Sequence, residues 1–187
     1  MKNAINNYYQ KLEKTYLEEF NSKPTVTYTE KLNKNLLISK PNEDGEVEWS
    51  PKFIDEKIDF RALEKEFGFK ISDELKEYYS TYYFLRLRGE IGKIDLRFYP
   101  LNKNIEETIK QHLKDGRYYF EDEQIFLLGD ANVNGIDGYF VFYDNKTEEL
   151  FCYDCDEHDP KESKFNTKKA IILKSIVETI NSMENCF

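Results

Sequence analysis

Apolar residues Ile5, Tyr8, Tyr9, Leu12, Tyr16, Leu17 and Phe20 recur at the spacing of one helix face, which predicts a helix over about 4–21, closed by Pro24. Residues 25–29 and 36–39 read as short extended pieces before the turn cluster at 42–45. Val47 and Trp49 then alternate with Glu46 and Glu48, the pattern of a half-buried strand stopped by Pro51. Two helices follow. Asp59 can cap the first, whose apolar stripe is Phe60, Leu63 and Phe67 with Gly68 near its end; Ser72 can cap the second, which carries Leu75, Tyr78, Tyr79 and Tyr82 on one face.

From Gly89 the period changes to two, with Ile94, Leu96 and Phe98 alternating with Lys93, Asp95 and Arg97. Asn104 and Glu107 form a capping-box pattern ahead of the stripe Ile105, Ile109 and Leu113, and Gly116 is expected to stop that helix. Strands are expected at 124–128, 138–143 and 149–154, the last two joined by a tight hairpin at 144–147. Between the first two, 129–137 reads as a long loop rich in Asn and Gly. Thr167 precedes an expected final helix holding Ile172, Leu173, Ile176, Val177, Ile180 and Met183. This grouping predicts a single α+β domain over residues 1–187, an antiparallel or mixed sheet flanked by helices.

Composition narrows the function classes. At 187 residues, 40% hydrophobic and 16% aromatic, the chain is built to bury a core despite 34% charged residues. Thirty-six acids against 27 Lys and Arg give a net charge of -9, which argues against nucleic acid and for a basic protein partner. No stretch approaches the ~20 apolar residues that span a bilayer. The N-terminus lacks the apolar core of a signal peptide, and three cysteines do not make a disulfide framework. The expected compartment is the cytoplasm.

Cys152, Cys155 and His158 suggest a metal or redox site, but residues three apart on a strand point to opposite faces, and a fourth soft ligand is missing nearby. Buried or half-buried structural cysteines are the expectation. His112 sits one position before a helical apolar stripe, which suits a boundary residue better than a general base. Phosphate-binding glycine loops and H-E-x-x-H are absent from the sequence. No catalytic residues, metal ligands or cofactors are expected, and the protein is not expected to be an enzyme.

Charge placement is more informative. Between 117 and 160, twelve acids face only Arg117 and Lys146, a net of -10, so the remainder of the chain sums to +1. The expected partner-binding residues are Glu121, Asp122, Glu123, Asp144, Glu148, Glu149, Tyr153, Asp154, Asp156, Glu157 and Asp159. Their joint action requires that they converge on one folded face, where their potential would speed docking of a cationic protein. Tyr118, Tyr119, Tyr139, Tyr143 and Tyr153 lie in the same region and could add interface area, whereas Tyr78, Tyr79, Tyr82 and Tyr83 have the spacing of core or boundary residues.

The order of motifs resembles the Syd family of the SUKH superfamily. The resemblance rests on E-V-E-W-S-P at 46–51, the block 60–72 continuing to Tyr78, Tyr79 and Tyr83, Gly92 to Leu96, and then I-F-L-L-G-D at 125–130 with Y-F-V-F-Y-D at 139–144 and Glu149-Leu150-Phe151. It implies an α+β domain without a cofactor whose activity is protein binding. Members are frequently immunity proteins that neutralise toxins, often nucleases, and Syd is named for interacting with the cytoplasmic side of the SecY translocon. Either partner would be basic at the contact, since nucleases hold phosphate and cytoplasmic loops are rich in Lys and Arg. The SecY reading places the protein at the inner face of the cell membrane. The Gly/Asn loop around Asn134 and the acidic Cys-Asp-Glu-His-Asp segment depart from the Syd pattern.

Overall fold

A computed structural model describes residues 1–121, 123–155 and 170–184. Helix α1 spans Lys2–Phe20 and ends where Asn21 turns left-handed at φ 51°. Strand β1 (Thr25–Thr27) pairs antiparallel with β2 (Glu46–Glu48), which buries Val47 and leads into buried Trp49. The Asp59 carboxylate accepts from Ala62 N to start α2 (Phe60–Phe67), and Ser72 Oγ accepts from Leu75 N to start α3 (Asp73–Thr81). Both caps follow from side chains that satisfy otherwise orphaned N–H groups.

Helix α3 stops one residue before Tyr82. Tyr82 and Tyr83 form the two-residue strand β4 (Tyr82–Tyr83), paired with β3 (Lys52–Phe53), a ladder too short to leave an alternation signal. Strands β5 (Leu87–Ile91) and β6 (Ile94–Phe98) then form a hairpin. Helix α4 spans Ile105–Tyr119 from its Asn104 cap. Gly116 does not end α4 but lies inside it, against the start of the next strand.

The expected loop at 129–137 is strand. β7 runs Ile125–Val133 and β8 runs Ile136–Asp144, joined across Asn134 and Gly135, both at positive φ. Those two residues suffice because a two-residue hairpin turn needs left-handed backbone at its centre. β9 (Glu149–Asp154) follows as expected. The expected C-terminal helix is divided into β10 (Ala170–Ile172) and α5 (Ile176–Ser182), which starts at a Ser175 cap; Thr167 lies outside the described residues.

Strands β10-β9-β8-β7-β6-β5 form a six-stranded antiparallel sheet. The α+β expectation therefore holds, with the antiparallel alternative realised. Strand parity distributes the apolar residues over two clusters. Leu96, Phe98, Val141, Tyr143, Leu150 and Cys152 join the larger cluster with side chains of the helices, including Ile5, Leu12, Tyr78, Ile109 and Ile180. Leu127, Phe142, Phe151 and Tyr153 join a second one around Phe120, which follows α4. Helix α1 also covers the outer edge of the sheet. Tyr8 Oη both donates to Arg88 O (2.7 Å) and accepts from Arg88 N (3.0 Å), closing part of β5's open ladder.

Candidate functional site

The turn that joins β8 to β9 is held by one buried amide. Asn145 Oδ1 accepts from Ser72 N (2.7 Å), and its Nδ2 donates to Lys70 O (2.8 Å) and Gln124 Oε1 (2.9 Å). Its backbone N donates to Gln124 O at 3.0 Å. Nearby, the Tyr143 and Ser72 hydroxyls are 2.9 Å apart. The hairpin tip is therefore fixed to the α2–α3 junction and to the segment before β7. Sequence reading recognised Asn145 only as a turn residue; four hydrogen bonds make it the positioning residue of this end. Truncation to alanine strands buried donors and acceptors, so Asn145→Ala should lower unfolding free energy by about 2 kcal/mol, measured by urea denaturation.

Five of the predicted partner-binding residues gather here. Asp144 and Glu149 stand opposite each other across the β8–β9 ladder. Glu148, at φ 58°, donates its N–H to Asp144 O (2.9 Å), and Glu123 reaches the hairpin through an ion pair with Lys146. Glu121 follows Phe120, whose carbonyl accepts from Glu123 N. Glu121, Glu148 and Glu149 are exposed. Lys146 moderates this charge by engaging Glu123 and by donating its backbone N–H to Asp144 Oδ1 (2.7 Å). Lys174 lies beside the start of β9 and pairs with Glu178 at 3.5 Å.

Asp154 belongs to the opposite end. Five residue steps along β9 separate it from Glu149, roughly 17 Å at strand rise. On the same side as Asp154, Asp137 stands at the start of β8, and Asp130 lies within β7. Arg97 serves both of these acids, with Nε 2.6 Å from Asp130 Oδ1 and Nη2 3.3 Å from Asp137 Oδ1. The Asp130 contact is close but out of hydrogen-bond alignment. Burial raises the Asp130 carboxyl above its usual range, with Arg97 opposing and Asp95 and Asp137 adding to the rise. Arg88 holds Asp95 through two contacts of 2.7 and 3.0 Å. Among the described residues of this end, Asp95, Asp130 and Asp137 are each engaged by Arg88 or Arg97. The described acids of the region thus divide into a group at the β8–β9 turn and a group toward the other end of these strands.

Tyr153 requires a correction. It is 1% exposed, with its ring 5.1 Å from that of Phe120, because parity with Phe151 sends it into the second cluster. It is a core residue and presents no surface to a partner. Tyr143 is likewise buried, whereas Tyr118 is 82% exposed. Asp122, Asp156, Glu157, His158 and Asp159 lie outside the described residues.

Cys152 and Cys155 fall in different clusters, as the parity argument expects. Burial pushes the Cys152 thiol up to about 12, which keeps it protonated and unreactive. Among the described residues no group of His, Cys, Asp and Glu could hold a metal ion. No described helix is long and apolar enough to cross a membrane. His112 is not a boundary residue. It is 5% exposed, and its Nδ1 lies 2.7 Å from Tyr79 Oη.

A helix-backed antiparallel sheet that carries its charge at the strand ends is the fold over which the family comparisons match. Residues 56–174 match the SMI1 / KNR4 family (SUKH-1) and residues 2–105 match the Syd protein family (SUKH-2). Each match spans more than half of the chain and the two overlap over residues 56–105, so the chain belongs to the SUKH superfamily. No curated protein matches the chain. These families are known as non-catalytic binding or immunity proteins, and membership implies protein partners.

Proposed function

We propose that this chain is an immunity protein that binds a basic toxin domain, often a nuclease in such systems, and blocks its active site or nucleic-acid groove without turnover. The observation that supports the reading is the hairpin end. Glu148 and Glu149 are exposed there on a turn held by Asn145, and Glu121 is exposed three residues before the Gln124 that Asn145 also binds, so this charge is presented on a rigid support. Rigid presentation matters because carboxylates fixed before encounter lose little entropy on binding, while their field raises the association rate. Asp144 and Glu123 complete the group, and the more distant Asp154 engages only a partner that extends along the sheet.

The test is rescue of cells expressing the toxin encoded beside this chain, followed by titration of the purified pair. Reversal of Glu121, Glu148 and Glu149 to lysine should weaken binding more than tenfold at low salt, about 1.4 kcal/mol, and the difference should shrink as salt rises. Equal affinity of the reversed and parent proteins would overturn the site. The Syd match over residues 2–105 favours a second reading, peripheral binding to cytoplasmic loops of the SecY translocon. Salt-sensitive cosedimentation with SecY-containing membranes, without rescue from the toxin, would select it.

A further inference from the structure

The acidic turn shares a sheet face with a column of aromatic rings. Phe142 and Phe151 belong to the second cluster, and strand parity gives the same face to Asp144 and Glu149, which stand opposite each other two residues nearer the turn. Phe142 stacks on Phe151 with 5.5 Å between centroids, Tyr119 meets Phe142 at 5.6 Å, and Tyr118 stands edge-on to Tyr119 at 5.0 Å. The two phenylalanines are buried, Tyr119 is half-buried, and Tyr118 is 82% exposed. Tyr118 is thus the solvent end of a stack rooted in the core. From Phe142 to Asp144 is a step of roughly 7 Å along the strand, and Glu121 follows Tyr118 by three residues.

Charge around this ring is one-sided. Glu121, Glu123, Asp144, Glu148 and Glu149 stand against Lys146, which Glu123 already holds. Carboxylates remain the majority even when Lys114 and Arg117 of α4 are counted, and the Arg117 guanidinium is turned onto the Phe69 ring at 5.9 Å, beside the larger cluster. Lys174 is taken up by Glu178.

We infer, resting on the basic partner proposed above, that Tyr118 is the apolar anchor of the contact. The partner covers it with a long cationic side chain whose methylene stem lies on the ring and whose head reaches Asp144 and Glu149. Such side chains lay their stems on apolar surface while the charge stays among polar groups, and the ring face itself attracts a cation. A ring held by other rings loses little freedom on binding, which is the property of residues that dominate interface energies. The acids then set the rate of encounter, and Tyr118 sets the lifetime of the complex.

The first probe is a capped tetra-arginine peptide, with capped tetraglutamate as its control, titrated into the full protein carrying ¹³C-labelled tyrosine rings. The Tyr118 signal, identified by its absence from Tyr118→Phe, should move saturably with arginine and stay fixed with glutamate. Tyr118→Ala alters an exposed side chain and should leave the circular dichroism unchanged. It should weaken the arginine peptide about threefold or more, whereas Tyr118→Phe should stay within about twofold of the parent. The second probe is the purified toxin encoded beside this chain. There Tyr118→Ala should speed dissociation about tenfold or more at low and high salt alike, while reversal of Glu121, Glu148 and Glu149 should slow association and lose its effect as salt rises. Rescue and toxin binding indifferent to Tyr118→Ala would overturn the anchor and leave the immunity reading standing. Movement of Tyr118 by tetra-arginine without rescue would keep the anchor and overturn that reading instead. A Tyr118 signal that ignores tetra-arginine, or answers both peptides equally, would rule out a cationic occupant.

Discussion

Replacement of Gly116 by alanine should destabilise the protein strongly, although alanine is the better helix former. Gly116 lies in α4 at the point where the helix backbone meets the start of β7. A Cβ there would stand 2.0 Å from Ile125 O and 2.7 Å from Ile125 C. Both neighbours are main chain within a paired strand, so neither can rotate away. Helix propensity favours alanine by about 1 kcal/mol. Against it, relief of the clash requires α4 to move off the sheet by about an ångström, which loosens Ile109, Leu113 and Phe120 together and lies at or beyond the upper end of overpacking penalties, about 3 kcal/mol. The clash wins. A net loss of about 2 to 3 kcal/mol corresponds to a fall in Tm of roughly 4 to 12 °C for a chain of this size. Calorimetry would settle it, and an unchanged or raised Tm would show that α4 is not pressed against β7 at this residue.

The same glycine shows where sequence reasoning reaches its limit. Read locally, Gly116 is a helix terminator; its actual role depends on Ile125, which only the packing of α4 on β7 brings near. Signals carried by adjacent residues were legible. The caps at Asp59, Ser72 and Asn104 and the alternation in β2 and β6 follow from spacing within one element, and the opposite placement of Cys152 and Cys155 follows from an odd offset that runs one residue past the end of β9. Strands β3 and β4 were not, because two-residue ladders owe their existence to each other. The candidate site divided in the same way. Sequence proximity placed Glu149 and Asp154 in one acidic group, yet a six-residue strand carries them to opposite ends of the sheet. Tyr153 was misassigned because the second cluster that buries it is completed by Phe120, more than thirty residues earlier.

Stability should also fall between about pH 6.5 and 4 through His112. Burial lowers its pKa from the ordinary 6.5 to about 4, so the folded protein keeps the imidazole neutral where the unfolded chain has taken up a proton. The unfolded state therefore binds more protons within this window, and unfolding free energy rises with pH across it. The contribution is complete above pH 6.5, declines as pH drops, and is exhausted below about pH 4. Over that interval it amounts to about 3 kcal/mol at 1.36 kcal/mol per pH unit. Burial also raises the Tyr79 hydroxyl well above its usual pKa, so it remains a phenol across the whole range. With Tyr79 Oη–H donating to His112 Nδ1, the ring proton is assigned to Nε2. His112→Gln preserves an acceptor for that hydroxyl but has no proton to gain. Its urea-unfolding free energy should start lower at pH 7 and then change less between pH 6.5 and 4 than that of the parent, the two curves converging by up to about 3 kcal/mol. Parallel curves would mean that the imidazole is protonated in the folded state and that acid sensitivity in this range belongs to the carboxylates alone.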